Sequence, residues 1–374
     1  MSVRRRVVHV TDSAGFGGAE RQILTLIEHL DRERWDPVLA HHGSPGIQPL
    51  VDGARALGVP DVVLEPMPDG LAGARRVPRA ARTLRGLGAD VLHAHLTWPL
   101  ACKWPLAAGV VARVPAVVAT VQLYLPFTAT RGTLLQHRIL ARRVGRYICV
   151  SRFVADAGIA HPGWPPARVS VVHNGIDPAP WERGDAARGR AALGGGDEPV
   201  ALTLARLDPQ KGLEVLVEAA TQTPGVQFAI AGDGPERAAL EQQIERLGLS
   251  GRVRLLGRRE DATDLLAGCD LFVLPSRFEG LPVSVVEAMA ASRPVVATAI
   301  GGTDEAVVAG ETGLLVPAGD APALAAAVAR IAGDGDLSAA MGAAGRERAH
   351  ASFTAAGMAS AVEATYLDLL GDAA

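Results

Sequence analysis

Lysine is almost missing from this chain: two residues of 374, against 35 arginines. Cysteine is scarce too. Cys102, Cys149 and Cys269 lie far apart in apolar surroundings, which predicts buried free thiols, fits a reducing compartment such as the cytoplasm, and argues against a zinc site. No run of 18 uncharged apolar residues exists, so no transmembrane helix is expected. Near the start, the apolar stretch after the basic residues is only Val7 to Val10. That is too short for a signal peptide and reads as a first strand. No repeat of solenoid type is visible.

What is present is an ordinary globular composition, 48% hydrophobic and 21% charged, long enough for two domains. The net charge of −3 is unevenly spread. Up to position 180 there are 21 basic and 13 acidic residues; beyond it, 16 and 27. A basic first half could face an anionic lipid or an acidic acceptor, or be no more than surface composition.

Short β-branched runs alternate with amphipathic stretches. RVVHV, PVLAH, DVVL, DVLHAHL, AVVATV and RYICVS come first; PVALTLARL, VQFAIAG, RVRLL, DLFVLP, PVVAT and GLLV follow. Continuous apolar runs between helices predict parallel strands covered on both faces, so the fold class is α/β with two doubly wound domains. The turn-rich segment Val169 to Asp185 marks the boundary. The Ala-rich end reads as helices, the last expected over Ala355 to Leu370 and crossing back onto the first domain. The expected division is therefore 1–174, 175–352 and 353–374. Ligands of such sheets bind beyond the carboxyl ends of the strands, and two such domains suggest a cleft between them.

Several polar residues follow strands, and each admits two readings. Arg206 and Lys211, after VALTLA, suit a diphosphate, with a fork from Arg and a point charge from Lys; a solvated loop is the plainer alternative. A lysine in so arginine-rich a chain hints at a specific need. AGDGPE, Ala231 to Glu236, reads as a structural turn. Gly17 and Gly18, between the first strand and a helix expected near Ala19, either admit a ligand to the backbone or simply make the turn. His93 and His95 share one face of a strand. A metal pair is conceivable, but no third ligand has suitable spacing; a structural histidine is the commoner case, with His95 the better substrate contact.

In FEGLPVSVVEAMA, Glu279 and Glu287 flank seven residues. Ser284 to Glu287, SVVE, matches a capping box, which would make Glu287 a helix-capping acceptor. Alternatively, each carboxylate accepts hydroxyls of a sugar or ribose, with a phosphate at the helix start between them. A glycosidase pair is a third reading, but it leaves Arg206 and Lys211 without a use. Arg75, Arg79 and Arg82 fall near one face of a basic segment interrupted by Pro78. That face could dock on anionic membrane or be solvated.

GGAE, DVLHAHL, VVHNGID, LARLDPQKGL, AGDGPE, LPSRFEGLPVSVVEAMA and GGTDE occur in one order along nearly the whole chain. In that order they closely resemble the retaining glycosyltransferases of family 4, whose E-x7-E element Glu279 and Glu287 would form. The resemblance implies the GT-B fold of two Rossmann-like domains and a nucleotide-sugar donor, with UDP as the default nucleotide, and a hydroxyl acceptor. It implies catalytic roles for Arg206, Lys211 and Glu279: the two cations on the diphosphate, Glu279 on the transferred sugar. Glu287 would hold the ribose, and Gly280, Leu281, Pro282 and Val283 would line the sugar–phosphate region. Gly17 and Gly18 would approach the phosphate from the first domain, and Gly257 and Arg258 would hold the base. No metal or other cofactor is expected, and no nucleic-acid partner. The chain departs from the family at Gln122, where a histidine often stands in T-x-H. Gln donates a hydrogen bond but does not titrate, so acceptor handling rests on Gln122 and His95. A UDP-sugar 2-epimerase and a non-catalytic nucleotide-sugar binder are the alternatives. A cytoplasmic enzyme with peripheral contact at an anionic membrane is the expected setting.

Overall fold

The computed structural model describes residues 4–194 and 196–371. The chain forms two compact units, one of Met1–Gly175 with Ala355–Ala374 and one of Ile176–Thr354.

The first unit is built on a seven-stranded parallel sheet: β1 (Arg5–Thr11), β2 (Trp35–His41), β3 (Asp61–Val63), β4 (Val91–Leu96), β5 (Ala116–Val121), β6 (Arg146–Cys149) and β7 (Val169–Val171), in spatial order 3-2-1-4-5-6-7. The second has six parallel strands: β8 (Val200–Leu204), β9 (Gln227–Ala231), β10 (Val253–Gly257), β11 (Leu271–Leu274), β12 (Val295–Thr298) and β13 (Gly313–Val316), in order 10-9-8-11-12-13. Strand order reverses at β1/β4 and at β8/β11, where a doubly wound sheet opens its ligand crevice. The inner strands are almost fully buried, as their unbroken apolar runs require, while the edge strands β3, β7 and β10 are only partly so.

The C-terminal helix, Ala355–Leu370, belongs to the first unit. Met358, Ala359, Val362 and Tyr366 pack with Val7, Trp35, Val91 and Val118 from the sheet side and Leu26 and Leu30 from the first helix, Gly18–His29. Tyr366 sits edge-on to Trp35 at 5.2 Å between ring centres, and its hydroxyl lies 2.6 Å from His93 Nδ1. The three cysteines are buried thiols.

Pro78 does not interrupt a helix. It stands in the first turn of Val77–Gly86, where its missing N–H costs nothing, after a separate short helix, Leu71–Ala74. Arg75, Arg79 and Arg82 are exposed, and Arg79 pairs with Glu65. Among the described residues no helix is long and apolar enough to cross a membrane.

Replacing Tyr366 by Phe keeps the ring packing but strips buried His93 Nδ1 of its partner. The expected loss is roughly 1–3 kcal/mol of stability, read from urea denaturation.

Candidate functional site

In the second unit, three loops beyond strand ends converge on Glu279. After β8, Asp208 accepts the Gln210 N–H at 3.1 Å and caps the tight turn Pro209–Lys211. Gly212 closes that turn at φ +60, where a Cβ would run into the Pro275 carbonyl. Only glycine lets this loop press so closely on the end of β11. The Arg277 N–H donates to the Gln210 carbonyl at 2.7 Å and ties the two loops together.

Lys211 Nζ and Ser276 Oγ both donate to Glu279 Oε1, at 2.6 and 2.7 Å. Gln210 Nε2 lies 3.4 Å from Oε2 and 3.0 Å from the Phe278 carbonyl. Glu279 is 6% exposed, so its charge is neutralised and hydrogen-bonded inside the protein. From β12, Thr298 Oγ1 donates to the Ser276 carbonyl at 2.6 Å, and Gly301 at φ +51 packs its α-carbon against the Glu279 carbonyl.

Arg206 stands apart from this pair. Its Nε donates to Asp208 Oδ2 at 2.5 Å, while two thirds of its side chain is in solvent. Glu287 is buried in the helix Val283–Ala290. The capping box expected over Ser284 to Glu287 is not formed. The cap residue is Pro282, which has no side-chain acceptor and no N–H to receive a returning carboxylate. Ser284 is therefore inside the helix, and Glu287 lies a turn beyond the reach of its start. Gly280, Leu281 and Pro282 are buried and Val283 half-buried at that helix start. Gly257 ends β10 at φ +71 with Arg258 exposed after it.

In the first unit, Gly17 precedes the helix Gly18–His29, and its N–H donates to Glu20 Oε2 at 2.7 Å. Neither Gly17 nor Gly18 has a positive φ; a Cβ at Gly18 would meet nothing within 4 Å. The loop is open to an approaching group there, but its conformation does not require glycine.

His93 and His95 do have a third histidine beside them. His9 on β1 is in register with His93 on β4, and the ligating nitrogens of the three lie within 4.8 Å of one another. Spacing along the chain gave no sign of this neighbour; the pairing of β1 with β4 creates it. The rings already have other engagements. His93 bonds Tyr366 and, at 2.7 Å, Thr120 Oγ1; His95 Nε2 meets His9 Nδ1 at 3.0 Å. Burial drives the pKa of His93 and His95 far below the ordinary histidine value and that of His9 down to about 3, so the stack is neutral.

His95 and Gln122, the acceptor-side candidates, line one small cavity at the carboxyl ends of β4 and β5. Ser276 and Gln210 around Glu279, and Asn174 and Gln22 around the cavity, had not been singled out from sequence. An S-x-x-E spacing at Ser276 was the one local signal.

Residues 190–348 match the family described as Glycosyl transferases group 1, and residues 16–180 match Glycosyltransferase Family 4. The lipopolysaccharide core biosynthesis glycosyltransferase LpsE of Rhizobium meliloti is 36% identical over 174 residues, 46% of this chain and 50% of LpsE. The D-inositol 3-phosphate glycosyltransferase of Mycobacteroides abscessus is 35% identical over 201 residues, 51% of this chain and 45% of that protein. The chain spans about half the length of the curated relatives it matches. Among solved structures, HepE of Anabaena in complex with UDP has a TM-score of 0.86 at 26% identity, covering 97% of this chain and 100% of that one.

Two outcomes follow. Gly301→Ala forces a Cβ against the Glu279 carbonyl and an alanine into left-handed backbone, so urea denaturation should show a loss of about 1–3 kcal/mol. The neutral histidines have folded pKa values below their unfolded ones. The unfolded state therefore takes up more protons below pH 6.5, and stability falls as pH drops from there toward 3. Each contributes a slope on the order of 1.4 kcal/mol per pH unit. The denaturation midpoint should drop between pH 7.5 and 5, and His9→Gln should flatten that drop.

Proposed function

The chain belongs to the GT-B glycosyltransferases of the family 4 type, and on that premise we propose that it moves a sugar from a UDP-sugar to a hydroxyl acceptor with retention at the anomeric carbon, without a metal. The observation that carries this reading is the buried Lys211–Glu279 pair with Ser276, at the carboxyl ends of β8 and β11. A UDP-bound structure of closely similar fold, HepE, supports the choice of nucleotide.

In this mechanism Lys211 and Arg206 receive the negative charge that builds on the diphosphate as the glycosidic C–O bond breaks. Arg206 keeps its guanidinium largely in solvent, tethered among the described residues by Asp208, and so is available to a phosphate. Glu279 accepts hydroxyls of the transferred sugar while Lys211, Ser276 and Gln210 hold its carboxylate in place. Glu287 takes the ribose hydroxyls, Val283 offers its N–H at the helix start, and Gly257 with Arg258 faces the base. In the first unit, the backbone at Gly18 is open to a phosphate. The acceptor hydroxyl attacks from the face the diphosphate leaves, and its proton passes to a departing phosphate oxygen. Catalysis is then electrostatic, by charges fixed before the substrate arrives.

Melting temperature measured with UDP-, GDP- and ADP-sugars tests donor choice; UDP-sugars should raise it and the others should not. Arg206→Ala and Lys211→Ala should keep the fold and lose at least about 100-fold in UDP release with an acceptor present. Wild-type rates in both variants would remove the basis of the assignment.

A further inference from the structure

Between Asp90 and Asp156 the sequence has no acidic residue, and the 65 positions between them hold 8 arginines and lysines. Four of these gather on the helix Arg131–Ala141 of the first unit and at its end. That helix buries His137 and Ala141 and turns its opposite side to water. On the outer side Leu135 and Ile139, four residues apart, form one ridge and are 59% and 57% exposed. Arg131 and Arg138 flank the ridge, and Arg142 and Arg143 follow at its C-terminal end. All four are exposed, and none forms an ion pair among the described residues. The outer ridge of a surface helix ordinarily carries polar residues, so two aliphatic side chains framed there by cations serve no packing purpose.

The apolar surface continues past the helix. Arg138 Nε donates to the Pro162 carbonyl at 3.2 Å, and the ring of the preceding residue, His161, lies 4.7 Å from that of Phe127. Phe127 meets Trp98 edge-on at 5.7 Å, and Tyr124 links it to Phe153. Trp98 and Phe153 are 38% and 41% exposed. Aromatic rings of this kind favour the boundary between water and lipid.

The chemistry of the face selects its partner. A second copy would set arginine against arginine. A nucleic acid would neutralise the arginines but leave Leu135 and Ile139 in water. An anionic bilayer satisfies both, with headgroups for the cations and the acyl boundary for the ridge. The exposed arginines of Val77–Gly86 lack the second half of this arrangement. The apolar residues of that helix, Val77, Ala80, Ala81 and Leu84, are buried, and Arg79 is tied to Glu65.

We propose that the outer face of the helix Arg131–Ala141, with its aromatic neighbours, is a docking surface for an anionic lipid bilayer. Leu135 and Ile139 enter the boundary between headgroups and acyl chains, and Arg131, Arg138, Arg142 and Arg143 stay with the lipid phosphates. With only two aliphatic side chains on the ridge, docking is peripheral and reversible. The surface lies within the first unit and does not depend on the transferase reading.

Co-sedimentation of the whole protein with lipid vesicles is the test. Wild type should pellet with vesicles of equal parts phosphatidylglycerol and phosphatidylcholine, stay in solution with phosphatidylcholine alone, and be released by salt. Leu135→Ser with Ile139→Ser should weaken binding at least about tenfold, and Arg142→Gln with Arg143→Gln by a similar factor. Both pairs are exposed, so the melting temperature should stay at the wild-type value. Arg75→Gln with Arg82→Gln should bind as wild type does. Leu135→Trp should be quenched by brominated acyl chains, which reports entry of the ridge below the headgroups. The proposal is overturned if wild type ignores the phosphatidylglycerol vesicles, or if Leu135→Trp is quenched no more than wild type. It is also overturned if the serine pair binds as tightly as wild type, since charge alone would then act, as it would toward an acidic protein or a nucleic acid. Loss of binding in the Arg75 and Arg82 pair would overturn it too, by moving the contact to the other helix. Stabilisation by UDP is measured separately on the same variants, so loss of lipid binding and failure of the donor assignment are told apart.

Discussion

A parallel sheet covered by helices on both faces gives polar side chains one place to meet a ligand, the loops past the carboxyl ends of its strands. Everything distinctive in this protein follows from that constraint. The strands are apolar because both their faces are buried, so charge must collect where β8, β11 and β12 run out. There it is held by backbone close-packing as much as by side chains. Gly212 and Gly301 adopt left-handed conformations so that one loop can lie on the next, and Glu279 is fixed between them.

The Lys211–Glu279 pair shows the cost and use of such an arrangement. Both partners are largely removed from water, 18% and 7% exposed at the side chain. Desolvation offsets much of their attraction, so the pair is a poor device for stability. What it does give is a carboxylate held in one orientation, with Ser276 and Gln210 also donating to it and acceptor capacity left on Oε2. In the first unit the buried histidine cluster carries no charge. His9, His93 and His95 stack in the sheet as neutral rings, and the cavity above them holds amides rather than ions.

Much of this was legible in the sequence because it is local. Apolar runs between amphipathic stretches gave the strands, and the ordered motifs gave the two-unit α/β fold. Individual residues after strands, Lys211 and Glu279 among them, could be named from position alone. Their contact could not, since 68 residues separate them and only the adjacency of β8 and β11 brings them to 2.6 Å. His9 was missed for the same reason: its partners lie on β4, which neighbours β1 in space and not in the chain. The capping box failed at a different level. The spacing of Ser284 and Glu287 was right, but Pro282 took the cap position, and a proline offers neither of the groups that motif exchanges.

The return of the C-terminal helix has a consequence for how the protein is made. The residues that cover Val7, Trp35 and Val91 are made only after the whole second unit. Residues 176–354 must be synthesised first, which takes roughly 10–40 s at ordinary translation rates. For that interval the nascent first unit lacks Tyr366 and Val362, and one apolar side of its sheet is covered only in part, by Leu26 and Leu30 of the first helix. The second unit has no such wait, since its chain is continuous. Synthesis therefore runs against the usual order, with the amino-terminal unit the later of the two to close.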